Sequence, residues 1–441
     1  MISKDQINKF SNNVNTNHNT VLKNIISYNK LASLSNSNSF NQSHTPIYDV
    51  SVTPHLKVTN QKSSGRCWLF AALNVVRREM CKKYKLDNFE FSQSYLFFWD
   101  KLERMNYNLE CIIKTKDLDV SSRVVQHLLN DPSCDGGQWD MITNLVNKYG
   151  LVPKDVYQET YHSSSSRELN MVLKKKFREY SMKLRKSKEP NVLKQKYIEE
   201  VYKILCMFLG EPPNNFSWKY LDKDKNYKKM TDLTPLTFYQ THVPFNFNDY
   251  ACVINDPRKE HPYNHIYTVK YLGNVLDGNK VKYLNLPIGR IKDLVLRSLK
   301  NNESVWYGCD VGQFLNRSIC RMDKESTQYL KLLGLSFSMN KEERLRHKDS
   351  LMTHAMVITG ANTSTGNCLE ENSCVNDWEV ENSWSSCKPS NGYYSMSDKW
   401  FDEYVYEVAI KKDLLNDGEK KLLNGEFNKE LEPWDPMGSL A

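Results

Sequence analysis

No run in the 441 residues approaches the roughly 18 consecutive apolar side chains that a membrane helix needs, so no membrane association is expected. The start, Met1-Ile2-Ser3-Lys4-Asp5-Gln6, lacks the apolar stretch of a secretory signal, and the expectation is a cytoplasmic protein. CxxC pairs are missing as well. The eleven cysteines are an odd number in a chain too large to need disulfide staples, which points to free thiols in a reducing compartment. Cys368, Cys374 and Cys387 have neither paired ligand spacing nor clustered histidines beside them, so no metal and no other cofactor is expected. There is no internal repeat and no low-complexity tract, which sets solenoids aside.

What is present is an ordinary globular composition, rich in aromatics (25 Tyr, 17 Phe, 9 Trp), with a net charge of +8 that is mild for this length. Length alone points to two or three domains, or to one large domain carrying big insertions. Residues 11–45 are rich in Asn and Ser, which compete for backbone hydrogen bonds, and read as part of an irregular arm spanning 1–50. From Cys67 a helix begins that is apolar nearly all round through Val76, hence buried, and turns polar at Arg77-Arg78-Glu79, where it should reach solvent. Ser92 caps a second helix, and a third follows Gly136-Gly137 to Tyr149-Gly150. These give a helical half over 51–165. Residues 167–209 form a basic helical unit, and 235–310 read as short strands broken by Asp-Pro, Asp-Gly and Gly, so that 166–300 is taken as an inserted region. Strand-like runs at 352–359, 378–381, 392–396 and 404–410 make an antiparallel, barrel-like half over 301–425, followed by a tail at 426–441. The expected fold class is α+β.

The segment Asn60-Gln61-Lys62-Ser63-Ser64-Gly65-Arg66-Cys67-Trp68 places a thiol where a loop enters a buried helix. The positive end of that helix favours thiolate, the reactive form. The Gln61 amide and the Cys67 backbone N–H can together form an oxyanion hole. The alternative is a cysteine that is merely a small buried hydrophobe. His354, in an apolar strand flanked by small residues, is the candidate base, against the plainer reading of a satisfied core histidine. Asn382, in Glu381-Asn382-Ser383-Trp384, can accept the other imidazole N–H and fix the tautomer, with Trp384 shielding that bond from water.

In order, Gln/Cys, His and Asn-Ser-Trp resemble the papain superfamily of cysteine peptidases, although the Cys67-to-His354 separation far exceeds the roughly 130–150 residues of its small members and so requires insertions. Further blocks narrow the resemblance to the bleomycin hydrolase family of cytosolic aminopeptidases. They are Asp135 to Met141, Asp222 to Tyr227, Trp306 to Gly312, Ser350 to Met356 and Trp434 to Gly438. The resemblance implies a papain-like core with a hook-like insertion, and a homohexameric ring with inward-facing sites. The substrates implied are peptides and small amides with a free N-terminal amine. Gly136 and Gly137 are expected to line the cleft and pair with substrate backbone. Where the family usually has Gly after the tryptophan, this chain has Ser385.

A papain-type cleft is open at both ends, and an aminopeptidase needs one end blocked. Pro433 and Pro436 stiffen the final segment, Trp434 can anchor it, and its last residues are slim enough to lie in the cleft. There the Ala441 carboxylate would attract the substrate's ammonium, as the resemblance also implies. Two other readings stay open. A Cys-His-Asn site can pass its acyl group to an amine rather than to water, and the basic stretch 174–196 can bind nucleic acid weakly, although only Phe177 and Tyr180 interleave it.

Overall fold

The computed structural model describes residues 1–43, 45–363, 375–385 and 391–440. The helix Cys67–Tyr84 lies at the centre, with Trp68, Leu69, Phe70, Ala71, Ala72 and Leu73 all sealed from solvent. A helix apolar on every side must be enclosed. It packs against the helices Gln93–Lys114 and Trp139–Tyr149 and against the strand His354–Thr363. Ser92 does cap Gln93–Lys114, its side chain accepting the Tyr95 N–H. Trp139–Tyr149 ends at Gly150 with φ of 72°, and a β-carbon there would collide with the Pro235 carbonyl at 2.1 Å, so that only glycine fits.

The other half is a sheet of twelve strands among the described residues. His354–Thr363 pairs antiparallel with Val305–Cys309, His354 opposite Cys309, and with Val375–Glu381, Val357 opposite Glu381. Val405–Lys411 continues the antiparallel order to Tyr250–Ile254, and parallel pairings join the flanking short strands. Successive side chains of a strand face opposite ways. Trp306, Ala355 and Val357 therefore join the core around the Cys67 helix, while Val305, Tyr307, Met356 and Ile358 join a second core behind the sheet. Between the halves sit two carboxyl groups: the partly buried Asp140 of Trp139–Tyr149 and the buried Glu407 of Val405–Lys411 interact beside Cys252.

Several expectations need correction. Residues 11–45 are mostly helical: Lys4–Val14, Asn17–Tyr28, Leu31–Leu34 and Asn38–Ser43. Ser3 and Thr16 act as N-caps, and Ile7, Phe10 and Val14 recur at helical spacing, so the Asn and Ser residues occupy caps and exposed positions rather than breaking the helices. The stretch read as strands at 235–310 also holds helices Pro235–His242 and Ile288–Lys300. The basic unit is two helices, Arg167–Lys186 and Pro190–Leu209, interrupted where proline opens the second. Arg77 and Arg78 do not reach solvent; each is 1 % exposed. Nor are all thiols free, since Cys320 is disulfide-bonded. No described helix is long and apolar enough to cross a membrane.

Candidate active site

Cys67 is the first residue of its helix and 3 % exposed. Backbone N–H groups of Ala355, Trp68 and Cys67 itself are directed at the sulfur, so the thiol faces the start of the His354 strand. Burial outweighs these donors and pushes the Cys67 thiol up to about 11, so the helix end alone does not make it a thiolate. Burial likewise pushes His354 down to about 4, opposed by its bond to Asn382. Each group by itself is neutral at pH 7, and charge can arise only by passing a proton between them, where the two new charges stabilise each other.

His354 Nε2 lies 3.0 Å from Asn382 Oδ1. With Nε2 committed as donor, Nδ1 is the nitrogen left to take a proton from a thiol. Trp384 packs over the imidazole, ring centres 4.6 Å apart at 30°, and the Arg317 guanidinium lies 4.8 Å from the centre of a Trp384 ring. Backbone pairing between Asn60 and Trp384 ties this cover to the loop before Cys67.

Sequence reasoning missed what holds Asn382 in place. Glu381, fully buried, bonds both Arg77 and Arg78 of the Cys67 helix. Asn74 of the same helix joins Thr59 and Ser383, the residue after Asn382. The nucleophile helix and the asparagine strand are thus fastened together on both sides of Asn382. The signal was there in principle: two arginines inside an apolar helix need a buried anion, and Glu381 ends a strand directly after Val380 and just before Asn382.

Gln61 reaches the same region but its side-chain amide donates to the Ser64 carbonyl at 2.7 Å, while its backbone N–H donates to the Ser383 carbonyl at 2.9 Å. Gly136 gives its carbonyl to Arg104 at 2.8 Å. A β-carbon on Gly137 would meet the Trp68 ring at 2.6 Å, so this glycine is required by packing on the nucleophile helix. Just before the two glycines, Asp135 binds Lys101, the Gly65 N–H, Ser166 and Asn170, and these partners hold its carboxyl well below the usual range despite burial. The tail crosses here. Gln138 Nε2 donates to the Ser439 carbonyl at 2.7 Å, and Ser439 Oγ donates to the Met352 carbonyl at 2.6 Å, two residues before His354. Gly438 and Leu440 line a cavity of about 180 Å³ with Cys134 and Met141. Ala441 lies outside the described residues.

Known proteins of similar sequence and fold identify the family. The Peptidase C1-like family matches residues 1–438. The chain is 43 % identical to human bleomycin hydrolase and 44 % identical to that of Gallus gallus, in each case over 396 residues, 87 % of this chain and 86 % of the relative. It is 43 % identical to aminopeptidase C of Listeria monocytogenes over 392 residues, again 87 % and 86 %. The crystal structure of PepW from Lactobacillus rhamnosis HN001 superposes with a TM-score of 0.95 at 41 % identity, covering 100 % of this chain and 99 % of that one. With a buried cysteine at a helix start facing a histidine strand whose imidazole is bonded to an asparagine, the chain belongs to the Peptidase C1-like family, on a papain-like α+β fold.

Proposed function

We propose that the protein is a cysteine aminopeptidase that removes N-terminal residues from peptides and small amides through a thioester on Cys67. The observation that carries the reading is the 3.0 Å contact between His354 Nε2 and Asn382 Oδ1 beside the start of the Cys67 helix. The thiol proton passes to His354 Nδ1, and sulfur attacks the substrate carbonyl. His354 then returns the proton to the leaving amine, so that the C–N bond breaks as the C–S bond remains. Water, deprotonated by His354, cleaves the thioester and restores the thiol. The Cys67 backbone N–H serves the oxyanion, and the Gln61 amide joins it through the N–H not committed to Ser64. Asn382 orients the imidazole and Trp384 keeps water from the bond between them.

The aminopeptidase character rests on the tail. Its hydrogen bonds to Gln138 and Met352 support a segment that fills one end of the cleft, with the terminal carboxylate of Ala441 facing the substrate ammonium. Peptide libraries with free and acetylated N-termini, assayed before and after deletion of Gly438 to Ala441, test this. The deletion should admit acetylated peptides; a truncated enzyme that still trims single residues and ignores blocked peptides would sink the reading. A thiol-directed epoxide should label Cys67. Product masses with an added amine acceptor separate hydrolysis from acyl transfer.

Homohexameric assembly in the cytoplasm belongs to the same reading. It is supported by the exposed apolar positions Ile7, Phe10, Val14, Val21 and Ile25 on the first two helices, and light scattering tests it. Nucleic-acid binding gains little support, since Lys174, Lys176, Lys183 and Lys194 are paired with Asp131, Glu200, Glu179 and Glu110.

A further inference from the structure

We propose that two arginines outside the catalytic site, Arg258 and Arg123, hold the C-terminal tail at a fixed register, and that the Asp435–Arg258 pair thereby sets how strictly substrates with a blocked N-terminus are excluded. This rests on the reading of the tail as the block at one end of the cleft.

The post on which the tail is fastened is built without it. Arg258, 7 % exposed, gives Nε and Nη2 to the two oxygens of Asp256 at 2.9 and 2.8 Å. Asp256 is 1 % exposed, takes His261 Nδ1 at 2.6 Å, and is fixed through its backbone N–H by Asn285 Oδ1 at 2.9 Å. The Arg258 guanidinium is therefore pre-positioned, and a second carboxylate completes it: Arg258 Nη2 donates to Asp435 Oδ1 at 2.7 Å. A charged pair on a rigid, half-dry post binds a chain end better than one between two flexible surface chains, because little side-chain freedom remains to be lost.

Asp435 converts this grip into direction. Its Oδ1 also accepts the Met437 N–H at 2.9 Å, opening the short turn Pro436–Gly438. Met437 is buried, and Gly438 runs so close to Val269 that a β-carbon would stand 3.1 Å from Cγ1. One residue upstream of Asp435, the Arg123 guanidinium lies 3.9 Å from the centre of the Trp434 ring, with His127 at its edge. Along Trp434 to Ser439 the tail is thus held at several separate points. A slip by one position would crowd the Met437 side chain against Val269 and remove the carboxylate from Arg258. Ser439 lies four positions after Asp435, at most ~14 Å along the chain, so the anchor at Asp435 fixes where the tail meets Gln138 and Met352.

The test compares Asp435→Asn, Trp434→Ala and the Gly438–Ala441 deletion in the full-length enzyme. The readout is the ratio of kcat/KM for an acetylated peptide to that for the same peptide with a free amine. Loss of folded enzyme scales both rates alike and leaves the ratio unmoved. Asp435→Asn keeps the Asp256–Arg258 pair and should raise the ratio roughly 5–30-fold, the equivalent of about 1–2 kcal/mol, with Asp435→Glu falling closer to wild type. Trp434→Ala should raise it independently and decides the matter if Asp435→Asn does not fold. If the deletion raises the ratio while both point variants leave it at the wild-type value, the anchor is wrong and the tail reading stands. If the deletion leaves it unchanged too, both fall together.

Discussion

Glu381 accepts a hydrogen bond from Arg77 at 2.6 Å in a place where their side chains are 0 % and 1 % exposed, and its second oxygen takes Arg78. Two cations and one anion are closed inside the protein, with the Arg77 and Arg78 guanidiniums also donating to the Lys57 and Asn74 carbonyls. Removing the anion leaves both charges without their counterion. Glu381→Gln should lower unfolding free energy by ~3–5 kcal/mol, the usual cost of breaking a buried pair from one side. Urea denaturation measures it, and a loss below ~1 kcal/mol would mean that solvent reaches the arginines.

The three site residues should not be equally costly to lose. Cys67→Ala removes the nucleophile and should abolish turnover. His354→Ala should reduce kcat by ~10⁴-fold, at the upper end for a general base. Asn382→Ala only frees the imidazole to turn and should cost about 10–100-fold, chiefly in kcat. Equal losses for His354→Ala and Asn382→Ala would give the asparagine a chemical role rather than an orienting one.

The parts of this site that could be read from the sequence are those written locally. A thiol opening an apolar helix, a histidine on an apolar strand and an asparagine followed by tryptophan each sit in a pattern a few residues long, and the fold places His354 Nε2 3.0 Å from Asn382 Oδ1. What escaped depends on partners far along the chain. Whether Arg77 faces solvent or Glu381 cannot be decided from residues 70–80, because the partner arrives some 300 positions later. The helix Ile288–Lys300 was hidden among strand-forming neighbours, and the first two helices by an abundance of Asn and Ser whose caps outweighed their poor propensity.

Stability should fall as the solution turns alkaline. Burial pushes Glu407 up to about 8 and Asp140 up to about 6, and Glu407 Oε1 has no hydrogen-bond partner among the described residues. The folded state holds these protons more tightly than the unfolded chain. Their stabilisation is therefore complete below the ordinary carboxylate range and is lost as pH rises through about 6 for Asp140 and about 8 for Glu407. A decline of ~2–4 kcal/mol between pH 5 and pH 8 is expected, and Glu407→Gln should flatten most of it. Denaturation midpoints across that range in both proteins check the sign; a wild-type curve that rises with pH would contradict it.

Ser385 has φ of 68°, in the left-handed region, directly after the tryptophan that covers His354. A side chain there is strained, which gives a physical reason for the glycine usual at this place in the bleomycin hydrolase family. Ser385→Gly should be folded and active, and more stable by ~0.5–1 kcal/mol, the relief of strain less the added freedom of the unfolded chain. A destabilised variant would show that the hydroxyl makes an essential contact.

Because Ser439 is held by Gln138 and Met352 within the same chain, any ligand that needs those groups must compete with a segment that never diffuses away. A tethered competitor acts at an effective concentration in the millimolar range, whatever the dilution of the enzyme. Inhibitors shaped to the longer side of an open papain-type cleft would meet that handicap in full. Compounds that stop short of Ser439 would not, so on the proposed reading of the tail selectivity over open-cleft relatives is a matter of where the inhibitor ends.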